Sequence, residues 1–582
     1  MRNGNALRAT VAALTMLGAA CSSGNKGATD SGVSPGVGGS SSGQGGTPAG
    51  GGGAMNSGTG GGAGPSGMGG TPGAGTGGSP TGGGGSGTGG MGVGGAAGAG
   101  NSCTAGAPTG TAANTLAVNV DTAQNTISKE IFGVLMERLG RDISGGLFVG
   151  TASTIPNTNG MRNDIIQGFK DAGVGMIEWP GGCAANNYNF NPPNPTNDMG
   201  TDRYMQLCSL LGIEPYIAGG GTAALAARNL QWLTYINNNT THPEWNLKYF
   251  KVGNEVWGCG GNQTEATYET NYAANVSMLS VPINGKTTSL IASTGLIGNT
   301  TWLTTQLMNQ ASMIAGIEVH DYIYHPNDIP STGFSDAQYY NVVNAANRGQ
   351  IGPRLTQYIG ILDQFDPNKR IKIWEDEWGD WLEPLNSAAD GFYQQMTLMD
   401  AISSAEQLHL FMLHADRIFM GGMAQAVNVI HSLFFTRAAD AALVKTPAFY
   451  VFKMFLPHHS SGAKWAPNTL TSENITGNGQ TFPVLSAGAT VDTLGHVNIS
   501  LANVDLVNTR TIQINLTSAR AGYTVSSAQI ITGPAKDSFN DFNVPETVNI
   551  QTLAASNCMI SGKSLRVTLP AKSVVMLVLT PQ

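Results

Sequence analysis

The chain has 582 residues, a formal net charge of −8 and only 11% charged residues. It carries no run of Lys and Arg, so the composition argues against a nucleic-acid partner. A weakly charged, acidic chain is compatible with a neutral polymer such as a polysaccharide.

The first 21 residues resemble an export signal. Arg2 and Arg8 flank the start of the chain, and residues 9–20 form an apolar stretch too short to span a bilayer. The run from Leu17 to Cys21 resembles a bacterial lipobox, although its aliphatic residue lies one place early. We therefore expect an exported protein, either secreted or held at the cell envelope by a lipid on Cys21. That anchor is the only membrane contact that we expect.

Residues 22–110 consist almost entirely of Gly, Ser, Ala, Thr and Pro. Such a segment cannot bury enough apolar surface to offset its ordering entropy, which predicts a disordered tether. Roughly 470 residues remain, enough for one large domain and a smaller one.

After the tether, strand-like apolar runs alternate with helix-like segments. Amphipathic spacing predicts helices at 202–211, 222–236 and 393–414. Strands are predicted at 131–137, 175–179, 214–218, 249–254, 289–293, 316–322, 371–375 and 426–433. Eight such alternations favour an α/β fold, a closed (β/α)8 TIM barrel that spans residues 127–455.

From about Val491 the apolar residues alternate with polar ones at period two, between turns rich in Asn, Gly and Pro. This pattern predicts a C-terminal antiparallel β-sandwich over residues 456–582. A strand within residues 111–126 precedes the barrel, and we expect it to complete the sandwich because chain ends often lie close together.

The six cysteines are Cys21, Cys103, Cys183, Cys208, Cys259 and Cys558. They are scattered and show no zinc-binding spacing. Export permits disulfides, but the spacing does not pair the cysteines, and buried or free thiols remain the alternative. His458 and His459 are predicted to lie in a surface loop.

Two glutamates follow strands that lie on opposite sides of the predicted barrel. Glu255 ends the fourth strand motif and Glu377 ends the seventh. The carboxyl ends of barrel strands carry the catalytic groups, so these side chains are expected to face each other. A single glutamate after a strand is more often a cap or an ion-pair partner. The joint placement indicates a glycosidase, which needs one protonated and one ionised carboxyl group.

Several motifs in chain order resemble family 51 glycoside hydrolases, chiefly α-L-arabinofuranosidases. They include Trp179-Pro-Gly-Gly-Cys183, Gly253-Asn-Glu255 and Asp376-Glu-Trp378, and the likeness runs from about Ile127 to the C-terminus. The resemblance implies that Glu255 is the general acid/base and Glu377 the nucleophile of a retaining double displacement. It implies neither a metal nor an organic cofactor.

The same resemblance implies a set of sugar-binding residues. Asn254 would bind the hydroxyl group next to the anomeric carbon, and Tyr322 would orient the nucleophile. The full set of implied substrate-binding residues is Glu137, Cys183, Asn254, His320, Tyr322, Trp381 and Gln425.

Two positions depart from the family pattern. Arg138 stands where the family usually has His, and Glu178 stands where it usually has Arg. We expect Glu178 to add a carboxylate close to the catalytic rim. These changes leave the reaction class intact and bear on the choice of substrate.

The first hypothesis is an exo-acting α-L-arabinofuranosidase that releases arabinofuranose from arabinoxylan or arabinan. A second keeps hydrolysis but changes the sugar, as in a β-xylosidase or an endo-β-glucanase. A third is a non-catalytic carbohydrate-binding protein of the cell surface, and a fourth is a purely structural surface protein. The expected partner is a polysaccharide or oligosaccharide, and a homo-oligomer is left open.

Overall fold

A computed structural model describes residues 103–107, 110–385, 391–437, 440–544 and 546–582. The predicted export signal, Cys21 and nearly all of the predicted tether lie outside the described residues. Within the described parts, no helix is both long enough and apolar enough to cross a membrane.

Eight parallel strands close into a barrel, as predicted. Each strand hydrogen-bonds to the next one in the chain, and the eighth pairs with the first. The strands are β1 Gly133–Leu135, β2 Met176–Trp179, β3 Glu214–Gly219, β4 Tyr249–Val252, β5 Ser289–Ala292, β6 Gly316–Pro330, β7 Lys372–Glu383 and β8 Ile418–Ala424.

Helices follow every strand and form the outer layer. Glycine ends α1 in the left-handed conformation, with φ +69° at Gly173, where a side chain would be unfavourable. The helices are α1 Asn163–Ala172, α2 Gly200–Leu211, α3 Ala226–Asn237, α4 Glu265–Leu279, α5 Thr300–Gln310, α6 Asp336–Asn344, α7 Ile351–Phe365, α8 Leu398–Leu413 and α9 Pro447–Met454.

Apolar side chains fill the lower part of the barrel interior. Met176, Tyr216, Ile291, Trp374 and Met420 form one buried cluster contributed by five different strands. Because this layer closes the barrel from below, the interior is a packed core, and a ligand can enter only at the carboxyl ends of the strands.

The eighth strand was predicted wrongly at 426–433 and lies at Ile418–Ala424. Its glycine pair has the composition of a turn, yet these glycines allow close contact with neighbouring strands. A Cβ added at Gly421 would lie 2.5 Å from the Ile131 carbonyl oxygen, and a Cβ added at Gly422 would lie 2.3 Å from the Asp376 carbonyl oxygen.

The helix predicted at 393–414 begins later, at Leu398, after a capping box at Thr397.

Two further sheets form the C-terminal region. The first contains, in spatial order, Thr104–Ala105, Cys558–Ser561, Ser564–Leu569, Arg510–Thr517, Asn114–Asn119 and Asn468–Thr471. The second contains Gln551–Thr552, Tyr523–Thr532, Ser573–Pro581, Val497–Asn503, Leu485–Val491, Lys464–Trp465 and Gln124–Thr126. Asn114–Asn119 therefore lies inside a sheet built mainly of C-terminal strands, where it runs parallel to Arg510–Thr517.

Three short strand pairs complete the strand inventory of the described residues: Asn157–Thr158 with Met161–Arg162, Phe434–Thr436 with Leu443–Lys445, and Asn474–Gly477 with Gln480–Pro483. Single turns of 3-10 helix occur at Lys129–Phe132, Cys183–Asn187, Ala223–Leu225, Leu456–His458 and Ala555–Asn557, and a π-helical turn occurs at Ala345–Gly349.

The surface loop predicted at His458 and His459 is wrong. His458 is fully buried and belongs to the short helix Leu456–His458. Its Nε2 lies 2.7 Å from the Ser500 hydroxyl, which also lies 2.8 Å from Nε2 of His409 on α8. The two histidines thus connect the outer layer of the barrel to the second sheet.

Candidate active site

A tight turn after β4 places Glu255 at the carboxyl end of the barrel. Gly253 has φ +90°, and a Cβ there would lie 2.5 Å from Val256 Cγ1. Glu255 itself has φ +44°, in the left-handed region that side-chain-bearing residues rarely enter. The glycine and the left-handed turn together direct the chain back over the barrel mouth.

Glu255 and Glu377 lie close together, and both are buried. One carboxylate oxygen of each residue and a ring nitrogen of His320 all lie within 4.8 Å of one another. Retaining glycosidases hold their two carboxyl groups about 5–5.5 Å apart, whereas inverting ones need about 6.5–9.5 Å to admit a water. The spacing therefore fits direct attack by a carboxylate.

His320, on β6, bridges the two glutamates. Its Nδ1 lies 3.1 Å from Glu255 Oε1 and 3.3 Å from Glu377 Oε2, and its Nε2 lies 3.3 Å from Asp376 Oδ1. Burial disfavours the cation, but the carboxylates of Glu377 and Glu318 outweigh it and raise the pKa of His320 well above its usual value. A buried cation thus separates the two acids.

The surroundings of Glu377 shift its pKa in opposite directions. Burial, together with the nearby charges of Glu255 and Glu137, raises the pKa of Glu377 to about 8. The His320 cation opposes this shift, and the Tyr322 hydroxyl donates a 2.9 Å hydrogen bond to Glu377 Oε2. The protonation of Glu377 thus depends on the balance between its burial and the adjacent cation.

Two amide side chains line the site, and each has one polar atom without a hydrogen-bond partner among the described residues. These atoms are Asn254 Nδ2 and Gln425 Oε1, and both are buried. The other end of the Gln425 amide donates to Glu137 Oε2 at 2.6 Å. Burial, followed by the charges of Glu255 and Asp142, raises the pKa of Glu137 to about 7. The free donor and acceptor are suited to sugar hydroxyl groups.

The pocket between these side chains is narrow and partly open to solvent. The Trp381 ring forms part of its wall and packs edge-on against Tyr322, with ring centroids 5.2 Å apart. The lining residues are Glu137, Leu139, Gly182, Cys183, Asn254, Glu255, Tyr322, Glu377, Trp381, Gln425 and Ile430.

The structure brings together the residues singled out in the sequence. His320 is the exception in the lining, because it contacts the two glutamates without forming the pocket wall. Sequence reasoning missed Leu139 and Ile430, which lie in loops and carry no local signal. Gly182 stands in a quoted motif, and its role is steric, since a Cβ there would lie 1.7 Å from Glu137 Oε1.

The cysteines form two disulfides, so the alternative of buried or free thiols is wrong for four of them. Cys183 pairs with Cys259 and joins the loop after β2 to the loop after β4. Cys103 pairs with Cys558 and closes a sequence separation of 455 residues. Among the described cysteines, Cys208 is a buried free thiol.

Glu178 does not lie at the rim, contrary to expectation. It is fully buried inside the barrel, and its Oε1 lies 2.8 Å from Lys251 Nζ on β4. Arg138 lies at the protein surface instead, where it forms an ion pair with Asp198 and stacks over the Tyr188 ring, 4.7 Å from its centroid.

A cluster away from the two glutamates, buried throughout, also has the composition of a metal site. Asp380, Asp400 and His431 each offer a ligand atom within 4.8 Å of the others. However, His431 Nδ1 accepts the Asp380 backbone N–H at 3.1 Å, and its Nε2 lies 2.7 Å from the Ser404 hydroxyl. Both ring nitrogens are engaged within the protein, which disfavours metal binding at this cluster.

Two adjacent buried glutamates at a barrel mouth, with unpaired amide donor and acceptor atoms beside them, form the kind of site that glycoside hydrolases use. Residues 376–573 match the family model described as the α-L-arabinofuranosidase C-terminal domain. A crystal structure of the GH51 arabinofuranosidase from Xanthomonas axonopodis pv. citri superposes with a TM-score of 0.74 at 28% identity, covering 80% of this chain and 99% of that one.

The sequence comparison agrees with the structural one. An intracellular exo-α-L-arabinofuranosidase from Bacteroides ovatus is 32% identical over 80% of this chain and 95% of its own length. The α-L-arabinofuranosidase C of Emericella nidulans is 25% identical over 67% of this chain and 84% of its own. The chain belongs to the α-L-arabinofuranosidases of glycoside hydrolase family 51.

Proposed function

We propose that the protein is an exo-acting α-L-arabinofuranosidase that works by retaining double displacement. The observation that carries the proposal is the pair of buried carboxylates, Glu255 and Glu377, with oxygens within 4.8 Å of each other at the mouth of the barrel. The names of the relatives support the choice of sugar, and the geometry supports the choice of reaction type.

In the first step, the ionised Glu377 attacks the anomeric carbon while Glu255 gives its proton to the leaving oxygen. The glycosidic bond breaks and a covalent ester forms between the sugar and Glu377. In the second step, Glu255 removes a proton from water, which attacks the anomeric carbon and releases Glu377. Two inversions give a product with the original anomeric configuration.

Neighbouring side chains hold the reacting groups in place for these two steps. The Tyr322 hydroxyl fixes Glu377 Oε2 at 2.9 Å, and the His320 cation lies beside both carboxylates. Asn254 and Gln425 present free polar atoms to the sugar ring. The exo-acting relative from Bacteroides ovatus supports cleavage of terminal arabinofuranose, as in the side chains of arabinoxylan or arabinan.

A panel of aryl glycosides tests the sugar and the mechanism together. We expect release from the α-L-arabinofuranoside and little from the β-xyloside or β-glucoside, and NMR should show the initial product with a retained anomer. Glu377→Ala should lower kcat/KM by on the order of 10⁴-fold or more. Glu383→Ala, at the exposed end of the same strand, is the matched control. Equal hydrolysis of the other glycosides, or an inverted anomer, would contradict the proposal.

We also propose that the protein is exported and that Cys21 carries its lipid anchor. The signal-like segment and two disulfides within the described residues support this localisation, because disulfides persist in oxidising compartments. Cell fractionation of the wild type and of Cys21→Ala checks it. We expect the wild type in the membrane fraction and the variant released. A wild type found in the cytosol with reduced cysteines would refute export.

A further inference from the structure

Lys251 points into the barrel beneath the pocket and is fully buried. Its ammonium meets carboxylates from three other strands. Nζ lies 2.8 Å from Glu178 Oε1 on β2, 3.3 Å from Glu318 Oε2 on β6 and 3.1 Å from Asp376 Oδ2 on β7. A single cation therefore connects four strands of the barrel.

The three carboxylates keep this lysine charged. Burial alone disfavours an ammonium ion, but the charges of Asp376, Glu178 and Glu318 raise the pKa of Lys251 well above its usual value. An isolated charge at this depth would be very costly, so the ammonium is tied to its partners. Its position is thus set by β2, β6 and β7 and not by its own flexible side chain.

The ammonium also contacts a residue of the sugar pocket. Lys251 Nζ donates a 2.8 Å hydrogen bond to Asn254 Oδ1. An ammonium group can only donate, so the amide oxygen must face it and Nδ2 must face the other way. Asn254 lines the pocket, and this Nδ2 is buried without a partner among the described residues.

The backbone of Asn254 is held separately. Asn186 accepts its backbone N–H at 3.2 Å and donates to its carbonyl oxygen at 2.9 Å. What remains to be fixed is the rotation of the side-chain amide, and Lys251 supplies the contact that fixes it.

We propose that Lys251 is a positioning residue that orients the Asn254 amide so that its N–H donor faces a hydroxyl group of the bound sugar. The inference deepens the proposed function and rests on it. Glu178, Glu318 and Asp376 serve as the frame that holds the ammonium in place.

A double-mutant cycle on kcat/KM for an aryl α-L-arabinofuranoside tests this coupling. Lys251→Met should lower kcat/KM by about 100-fold, because a misplaced binding group costs about that much. In an Asn254→Ala background, the same substitution should have at most a few-fold further effect, since its target is gone. Lys248→Met, an exposed lysine in the segment just before β4, is the matched control.

Additional measurements separate folding failure from loss of function. Glu178→Gln/Lys251→Met removes one buried charge of each sign, and we expect it to fold, as judged by thermal unfolding, with a similar loss of kcat/KM. Additive effects of Lys251→Met and Asn254→Ala would overturn the proposal, and so would failure of both Lys251 variants to fold. An inactive wild type would instead refute the proposed function itself.

Discussion

At the residue scale, the site depends on charges that are balanced in a small volume. Glu137, Glu255 and Glu377 are buried together, and burial with mutual repulsion pushes the pKa of Glu377 to about 8. The His320 cation lies within 3.3 Å of both catalytic candidates and opposes that shift. The ionised state of Glu377 therefore depends on a neighbour on another strand.

Replacing His320 by Gln should move the acid limb of activity to higher pH. Loss of the cation makes the ionised form of Glu377 less favourable and raises its pKa, so activity is lost sooner as the pH falls. We expect a shift on the order of one pH unit. The measurement is the pH dependence of kcat/KM for an activated aryl arabinofuranoside, whose leaving group needs no acid.

His325→Gln is the matched control, because His325 lies on the same strand and pairs with Asp328 near the surface. An acid limb that stays in place in His320→Gln, or that moves to lower pH, would show that His320 is not the balancing cation.

At the element scale, features with a local sequence pattern could be predicted, whereas features set by long-range contacts could not. The strands that lead to Glu255 and Glu377 have apolar runs followed by polar motifs, and both could be located from the sequence. The predicted end of β7 was wrong, because this strand continues past Glu377 to Glu383. The eighth strand could not be located, because Gly421 and Gly422 are explained only by contacts with neighbouring backbones. For the same reason Glu178 was misplaced, since its partner Lys251 lies 73 positions further along the chain, and no local signal joins them.

The two disulfides join different elements and should differ in effect. Cys183→Ser/Cys259→Ser frees the loop that carries Glu255, so we expect both lower kcat and a lower free energy of unfolding. Cys103→Ser/Cys558→Ser lies within the first sheet and should cost about 2–4 kcal/mol of stability with kcat unchanged. Assays of kcat and denaturant unfolding compare the two pairs. A loss of kcat in the Cys103 pair alone would contradict this assignment.

At the scale of the whole molecule, buried polar contacts join the barrel to the second sheet. His409 on α8 contacts the hydroxyl groups of Ser486 and Ser500, which lie on adjacent strands of that sheet. Burial, with the nearby Arg348 charge, lowers the pKa of His409 to about 3. The junction thus requires a neutral histidine.

This requirement predicts acid sensitivity. An unfolded histidine binds a proton below its ordinary pKa of about 6.5, whereas His409 in the folded state does not until about pH 3. As the pH is lowered from about 6.5 to about 3, His409 should therefore reduce the free energy of unfolding by about 1.4 kcal/mol per pH unit. In His409→Gln, the free energy of unfolding should depend less steeply on pH, by that amount, in denaturant titrations from pH 7 to 5. His242→Gln, at an exposed position, should behave like the wild type, and parallel curves for His409→Gln would contradict the argument.

The most direct test of the central claim is covalent trapping of the nucleophile. The protein is incubated with a fluorinated arabinofuranosyl fluoride, which forms the ester quickly and hydrolyses slowly, and is then digested for peptide mass mapping. The account predicts one sugar per chain, on the peptide that contains Glu377, and none in Glu377→Ala. A label on Glu255, or no label on an enzyme that the reagent inactivates, would contradict it.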